Sequence, residues 1–398
     1  MISRCSHVPA GRPRNRPASG RPERVAMRKK KRKSALLRVI IVLLILAIAA
    51  TVAYAFVRGG GKPDFSFLTP RAGTAEEQPS GVFYFDSGRQ RVCADIGGGF
   101  AVASTTGLRV FDRAGTEILD ETILFTSPAI VSGGGYGAVY DLGGTSLQVF
   151  DATGLLWELT AENDIVSCSI SSTGLVSLIT GESGYKTSLT VYDTTGEAVY
   201  KWFSGDGYAI ASGISPNGRS MCAAALCDSG SRVVFYDLDS EVEKSSCVLP
   251  GQVALDLRQT EPYRALVLTT GGVWRVSEGE AELVYDFEGR YLSNYAMAPD
   301  GLTIVSLLDY SVGSSGRLVS LSASGGVMGE AETKKAVASL SAGGGMYAVL
   351  WSDGLTVFDR KLQESYSANV PTGVDTVIMR EGGAVLAVAA SYATLVER

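Results

Sequence analysis

The chain has 398 residues, 47 of them Gly, and a net charge of −5 that hides a sharp division. The first 62 residues hold 15 Lys or Arg against one Glu, while the remainder holds 21 basic against 40 acidic residues. An acidic main body repels phosphates, which excludes nucleic acid as its partner, and the glycine content favours a fold with many tight turns.

In chain order, residues 1–34 are predicted to be a disordered basic cytoplasmic tail, because the opening stretch is rich in Arg and Pro and almost free of apolar residues. Met27, followed at once by "RKKKRK", reads as an alternative start. Residues 35–57 are predicted to be a transmembrane helix that contacts the lipid bilayer. Its core, Val39–Val57, is 19 residues without a charge, which at about 1.5 Å per residue reaches roughly 28 Å, close to the hydrocarbon thickness of ~30 Å. Arg28, Lys29, Lys30, Lys31, Arg32, Lys33 and Arg38 precede or open this run, and only Arg58 and Lys62 follow closely. That asymmetry places the N-terminus in the cytoplasm and the acidic body outside the cell membrane. A cleaved signal peptide is the rival, since "AYA" at Ala53–Ala55 resembles a cleavage site, but the apolar run exceeds the 7–15 residues of such a signal. Residues 58–80 read as a flexible Gly/Pro/polar linker.

From residue 81 to 398 the sequence repeats at about 40 residues. The stretches "GLRVFDRAG", "SLQVFDATG", "SLTVYDTTG" and "GLTVFDRKL" are near-copies, and the residues closing such strands are Asp112, Asp151, Asp193, Asp237, Ser277, Ser322, Asp359 and Glu397. Their spacings of 39, 42, 44, 40, 45, 37 and 38 residues each hold four short strands without helical periodicity. This is the pattern of β-propeller blades. An aromatic recurs at Phe111, Phe150, Tyr192 and Phe358, opposite the aliphatic pair of the same strand, as a sheet packed on both faces requires. Eight closing positions predict an all-β, eight-bladed propeller, with seven blades as the alternative because the Ser277 and Ser322 copies are degenerate. The last repeat ends too early for a fourth strand, and the orphan "GVFYFD" at Gly81–Asp86 is predicted to supply it and close the ring.

The recurring carboxylates Asp112, Asp151, Asp193, Asp237 and Asp359 are read as turn devices, each accepting a backbone N–H two residues on at a hairpin tip. A catalytic group would occur once, not in most repeats. The only histidine, His7, lies in the tail, so the outer body has no Ser-His-Asp, Cys-His or histidine–metal chemistry. The five outer cysteines, Cys93, Cys168, Cys222, Cys227 and Cys247, show no C-x-x-C spacing and read as core thiols, with a Cys227–Cys247 bridge as the alternative. Three Gly triplets (Gly97–Gly99, Gly133–Gly135, Gly343–Gly345) lack the Lys-Ser/Thr of a phosphate loop and read as turns. The run "YDLDSEVEK" at Tyr236–Lys244 lacks the glycine bend of a calcium loop. No metal, cofactor or catalytic residue is expected.

With "ISPNG" (Ile214–Gly218), "MAPDG" (Met297–Gly301) and the repeated "VFD"/"VYD" strand ends, residues 81–398 resemble the broad group of quinoprotein-like and WD-repeat-like bacterial propellers. The plan of basic tail, single span and outer propeller is similar to an uncharacterised family of single-pass bacterial membrane proteins, a domain of unknown function. Enzymatic quinoproteins use adjacent cysteines and tryptophan-docking motifs to hold pyrroloquinoline quinone and Ca²⁺. This chain has no adjacent cysteines, and its outer tryptophans (Trp157, Trp202, Trp274, Trp351) share no repeat position. The resemblance therefore implies a non-enzymatic scaffold. The expected function is a membrane-tethered interaction, scaffold or sensing module whose partner is another envelope protein, a peptide or a glycan. The alternative is a carboxylate-dependent extracellular glycan hydrolase or lyase.

Overall fold

The computed structural model describes residues 81–85 and 90–396. No helix among them is long and apolar enough to cross a membrane. The span predicted at 35–57, the basic residues before it, the linker 58–80 and Glu397 lie outside the described residues.

The described residues form eight antiparallel sheets of four strands each. Blades 1 to 7 occupy residues 92–121, 128–160, 165–204, 208–250, 254–286, 291–333 and 337–368, each in simple meander order from the innermost strand outward. Blade 8 takes three strands from residues 374–396 and its outermost strand from Val82–Tyr84, with Val82 opposite Thr394 and Tyr84 opposite Tyr392. The ring thus has eight blades, not seven. The copies ending at Ser277 and Ser322 are complete blades, because Gly272–Ser277 and Gly316–Leu321 pair on both sides.

Packing explains why the third strands look alike. In "SLQVFD", Leu147 and Val149 enter a buried cluster with Ile165 and Leu178 of the following blade, while Phe150 packs against Leu108 and Val110 of the preceding one. In blade 7, Leu355 and Val357 meet Val377 and Val385 of blade 8, while Phe358 packs against the Ile304 and Leu318 cluster of blade 6. Successive side chains leave a strand on opposite faces, so the third strands of blades 1, 2, 3 and 7 place aliphatics toward the next blade and an aromatic toward the previous one. Blade 6 uses Val319 and Leu321 in the aromatic's place. Eight such clusters fill the eight interfaces between neighbouring blades.

The seam between blades 8 and 1 buries four phenylalanines. Phe83 and Phe85 pack with Phe100 and Phe111, with ring centroids 5.5 to 6.2 Å apart. Arg380 of blade 8 lies over the Phe83 ring, donates to the Gly99 carbonyl at 2.6 Å and pairs with Asp95 of blade 1 at 2.8 Å. Burial outweighs the mutual attraction at both ends of this pair, holding the Asp95 carboxyl above its ordinary range and the guanidinium below its own.

Phe83 is 0% exposed and its neighbour Tyr84 is 55% exposed on the same three-residue strand. Phe83→Ala is expected to lower the unfolding free energy by about 3–5 kcal/mol, whereas Tyr84→Ala changes it by roughly 0.5 kcal/mol or less. Denaturant unfolding of the two variants checks the contrast, and equal effects would show that the strand does not seal the ring.

Candidate interaction face

The meander order sorts every loop onto one of two faces. Turns between first and second strands, and between third and fourth, share the turn face. Loops between second and third strands, and the connections between blades, share the opposite connection face. The chain enters the ring at the turn-face end of Val82–Tyr84, since that strand runs antiparallel to Tyr392–Val396.

Short, fixed turns dominate the turn face. Asp112 Oδ1 accepts the Ala114 and Thr116 amides at 2.9 and 2.8 Å, and Asp359 Oδ1 accepts those of Lys361 and Gln363 at 2.8 and 2.9 Å. Asp151 accepts from Thr153 N at 2.7 Å, and Asp193 from Thr195 N at 2.8 Å and Glu197 N at 3.0 Å. Hydrogen bonds led by Thr195 hold the Asp193 carboxyl below its ordinary range. Ser322 holds the Gly326 amide through its hydroxyl at 3.1 Å. Asp237 departs from the pattern: its carboxylate accepts from the Tyr263 hydroxyl of blade 5 and lies 3.9 Å from Lys244. The acidic run around it splits further, because Glu243 turns to Arg232. Among the described residues no group of three His, Cys, Asp or Glu side chains converges as metal ligands would. In the Gly triplets, Gly97 and Gly98 take φ of 65° and 94°, and Gly134 and Gly135 take 59° and 95°. Two consecutive positive φ values make the tight hairpin turn that only glycine adopts without strain.

All five cysteines of the described residues are free thiols. Cys227 stands opposite Gly230 and Cys247 opposite Val233, so the two lie on either side of blade 4's third strand and form no bridge. Burial pushes the Cys93 thiol up to about 12 and Cys247 to about 11, and raises Cys168 and Cys222 as well.

The first strands ring the axis, and residues distant in sequence meet there. Asp256 of blade 5 accepts its neighbour Leu257's amide at 2.7 Å and a hydrogen bond from the Tyr295 hydroxyl of blade 6. Burial raises its carboxyl above the ordinary range despite the opposing pull of Arg258. Tyr140 of blade 2 is raised chiefly by burial too, with the nearby Cys168 thiol adding to it.

Exposed apolar side chains are distributed unevenly. Among the described loop residues, Leu124, Leu142, Tyr185, Val253, Tyr310 and Val312 are large, apolar and exposed on the connection face, against Val242 alone on the turn face. Leu124 is 82% and Val312 87% exposed. Tyr185 stacks on Phe203 with centroids 4.8 Å apart, and Tyr208 stands nearby with Lys186 Nζ 5.1 Å from its ring centre. Lys201 lies 4.8 Å over Phe203 and pairs with Glu182 at 2.9 Å.

Beside this patch, between the outermost strand of blade 3 and blade 4, opens a cavity of about 210 Å³. Ala225 and Val234 line it with Trp202 and Tyr236, and the connection Gly205–Gly207 lies at its rim with Arg232. Trp202 Nε1 donates to the Tyr236 hydroxyl at 3.0 Å, and that hydroxyl donates to Glu243 at 3.4 Å. One Arg232 nitrogen donates to both Glu243 oxygens at 2.9 and 2.8 Å and to Ser246 Oγ at 3.2 Å, while the other faces Asp206 at 3.7 Å. The sequence offered no signal for this site: its residues come from an interblade connection and three strands whose repeat motifs are unremarked at those positions.

The model of a family of unknown function, DUF5711, matches residues 84–249, the first four blades. No curated protein matches the chain. In structure the chain is similar to the C-terminal WD40 domain of Sif2, with a TM-score of 0.51 at 10% identity over 80% of this chain and 96% of that one. The WD40 repeats of RRP9 align with a TM-score of 0.49 at 9% identity over 68% of this chain and 93% of theirs. At these identities the likeness concerns the fold, a WD40-like propeller.

Asp256 binds its proton more tightly in the folded than in the unfolded state, so its stabilising contribution is full below the ordinary carboxylate pKa of about 3.9 and is lost as pH rises through the raised value. Asp256→Asn removes that loss. The variant is expected to melt above the parent at neutral pH and to converge with it near pH 4, as thermal melts across that range would record. A variant that melts lower at neutral pH would reverse the sign assigned to this site.

Proposed function

We propose that the protein is a membrane-tethered, extracytoplasmic interaction module without enzymatic activity, and that it holds a partner protein of the cell envelope on its connection face. The observation that carries this reading is the uneven distribution of exposed apolar side chains. A monomeric surface scatters such residues singly, whereas their concentration on one face of a rigid ring, flanked by charges, is the composition of a protein-binding surface. Aromatic residues such as Tyr185, Phe203 and Tyr208 are the side chains that most often anchor interfaces. The WD40-like fold supports the same reading, because it presents loops from many blades on one rigid support. The chain enters the ring at the turn face, so a partner on the opposite face does not compete with the point of attachment.

The tether rests on the uncharged run Val39–Val57 and the basic residues Arg28–Lys33 and Arg38. The full-length protein is expected in the membrane fraction, resistant to high salt and carbonate, with its propeller open to protease added outside the cell. A soluble secreted product lacking the first 55 or so residues would refute the anchor.

For the partner, crosslinking in intact cells is expected to recover one reproducible protein. Replacing Tyr185, Phe203 and Tyr208 together with Ser should abolish the crosslink while leaving the melting temperature unchanged. Substituting the exposed Val242 of the turn face with Ser should not. Loss through Val242, or no crosslink with either protein across several growth conditions, would overturn the assignment of the face.

A further inference from the structure

We propose that the cavity between blades 3 and 4 receives the free carboxyl terminus of a partner polypeptide whose last residue is apolar. The inference rests on the interaction-module reading and assigns one subsite within that face. The cavity combines two environments within about 210 Å³, an apolar floor of Ala225 and Val234 against the Trp202 wall, and a rim carrying Arg232. That volume admits one large apolar side chain with the atoms next to it, not a folded loop.

Arg232 is fixed from behind. Glu243 accepts from one of its nitrogens through both carboxylate oxygens, and Glu243 is itself steadied by the Trp202–Tyr236 hydrogen-bond chain. The guanidinium plane is therefore oriented before any ligand arrives, with its other edge turned to the cavity mouth. There it meets only Asp206, at 3.7 Å and with an 88% exposed side chain. An ion pair so open to water contributes little, about 0–1 kcal/mol, and Asp206 sits between two glycines that let it move aside. Asp206 thus occupies, loosely, the position that a stronger carboxylate would take.

An Arg beside a pocket for one apolar side chain suits a chain-terminal carboxylate, because a guanidinium makes charge-assisted hydrogen bonds to it. The small volume favours a chain end over an internal acid. At a terminus the carboxylate and the last side chain leave the same carbon, so one reaches Arg232 while the other reaches the floor. With an internal Asp or Glu the apolar group belongs to a neighbouring residue, and the chain has to continue past the rim in both directions.

The test uses the purified full-length protein and three peptide probes, with Trp202 fluorescence and calorimetry as readouts. The probes are acetyl-Ser-Gly-Ser-Leu-Phe as the free acid, the same peptide as its C-terminal amide, and the amide with Glu in place of Leu. The free acid is expected to bind at least about tenfold more tightly than the amide, the scale of one lost charge-assisted contact. The Glu-containing amide should bind no better than the plain amide. Arg232→Gln should remove the preference for the free acid. Because that substitution also leaves Glu243 without its partner, the exposed Asp206→Asn serves as the second variant: it should tighten free-acid binding by about threefold, the competing carboxylate being gone. Equal binding of acid and amide, no binding by any probe, or weaker binding by Asp206→Asn would overturn the proposal. Binding of the Glu-containing amide equal to that of the free acid would overturn the chain terminus in favour of an acidic side chain. Recovery of a connection-face partner from cells while all three peptides fail would sink this subsite and leave the interaction face standing. Peptide binding without such a partner would do the reverse.

Discussion

A sheet that buries both faces has no natural place to stop. Every blade here buries apolar side chains on both faces, as Leu147 and Val149 forward and Phe150 back do in blade 2. Each blade therefore needs a neighbour on both sides, and a linear stack would leave two apolar faces in water. Closing the stack into a ring removes both ends at once. The seam is where the closure happens, and Phe83 and Phe85 from the start of the chain fill it together with Phe100 and Phe111. The Arg380–Asp95 pair lies within that same seam. Both of its charges are disfavoured by burial, so the seam's stability comes from the four phenylalanines more than from the pair.

The dependence on two-faced packing is also why so much of the fold was legible in the sequence. The third strand of each repeat has to satisfy two neighbours and then turn tightly, which leaves few choices: blades 1, 2, 3 and 7 use an aliphatic–x–aliphatic–aromatic run closed by Asp, and the others use looser versions of it. Counting those runs gave eight blades even where the closing residue was Ser277 or Ser322, and the missing fourth strand of the last repeat pointed to Gly81–Asp86. Leu362 shows how strong the constraint is. It holds the left-handed position, with φ of 57°, that Gly115 and Gly196 hold in other blades, and makes the same backbone hydrogen bond to its turn carboxylate residue. Its side chain is buried in the blade 6–7 interface. Burying a Leu side chain contributes about 1.5–3 kcal/mol, enough to offset the roughly 1–2 kcal/mol that a side chain costs in this conformation.

What the sequence could not show is whatever the ring brings together from different repeats. Asp237 matches the turn carboxylates in position and its carbonyl accepts the Ser240 amide as Asp112's accepts Gly115's, yet its side chain goes to Tyr263 of the next blade. Asp256 and Tyr295 come from the first strands of blades 5 and 6, a whole repeat apart in sequence, and interact only because those strands stand side by side around one axis. The cavity beside Arg232 is assembled from a connection, the end of an outer strand and two strands of the following blade. None of these has a spacing that a motif would record, since the separations depend on loop lengths and on closure.

The two faces of the ring differ for a reason that follows from the strand order. Turn-face loops join neighbouring strands of one sheet, so hydrogen-bond register fixes them into two-residue glycine turns or carboxylate-capped tips. Connection-face loops include every passage from the outer strand of one blade to the inner strand of the next, and those passages cross the sheet rather than continue it. They carry no ladder to satisfy and no single length, running from the three residues between Ser204 and Tyr208 to the six between Glu121 and Pro128. Sequence on that face is thereby released from the fold's demands. The exposed Leu124 and the Gly205–Gly207 rim both sit in such passages, and Tyr310 and Val312 sit in the long loop of blade 6 on the same face. An apolar side chain at 72% or more exposure gains nothing for the ring itself, so on the face least constrained by folding it stands outside the packing that fixes the blades.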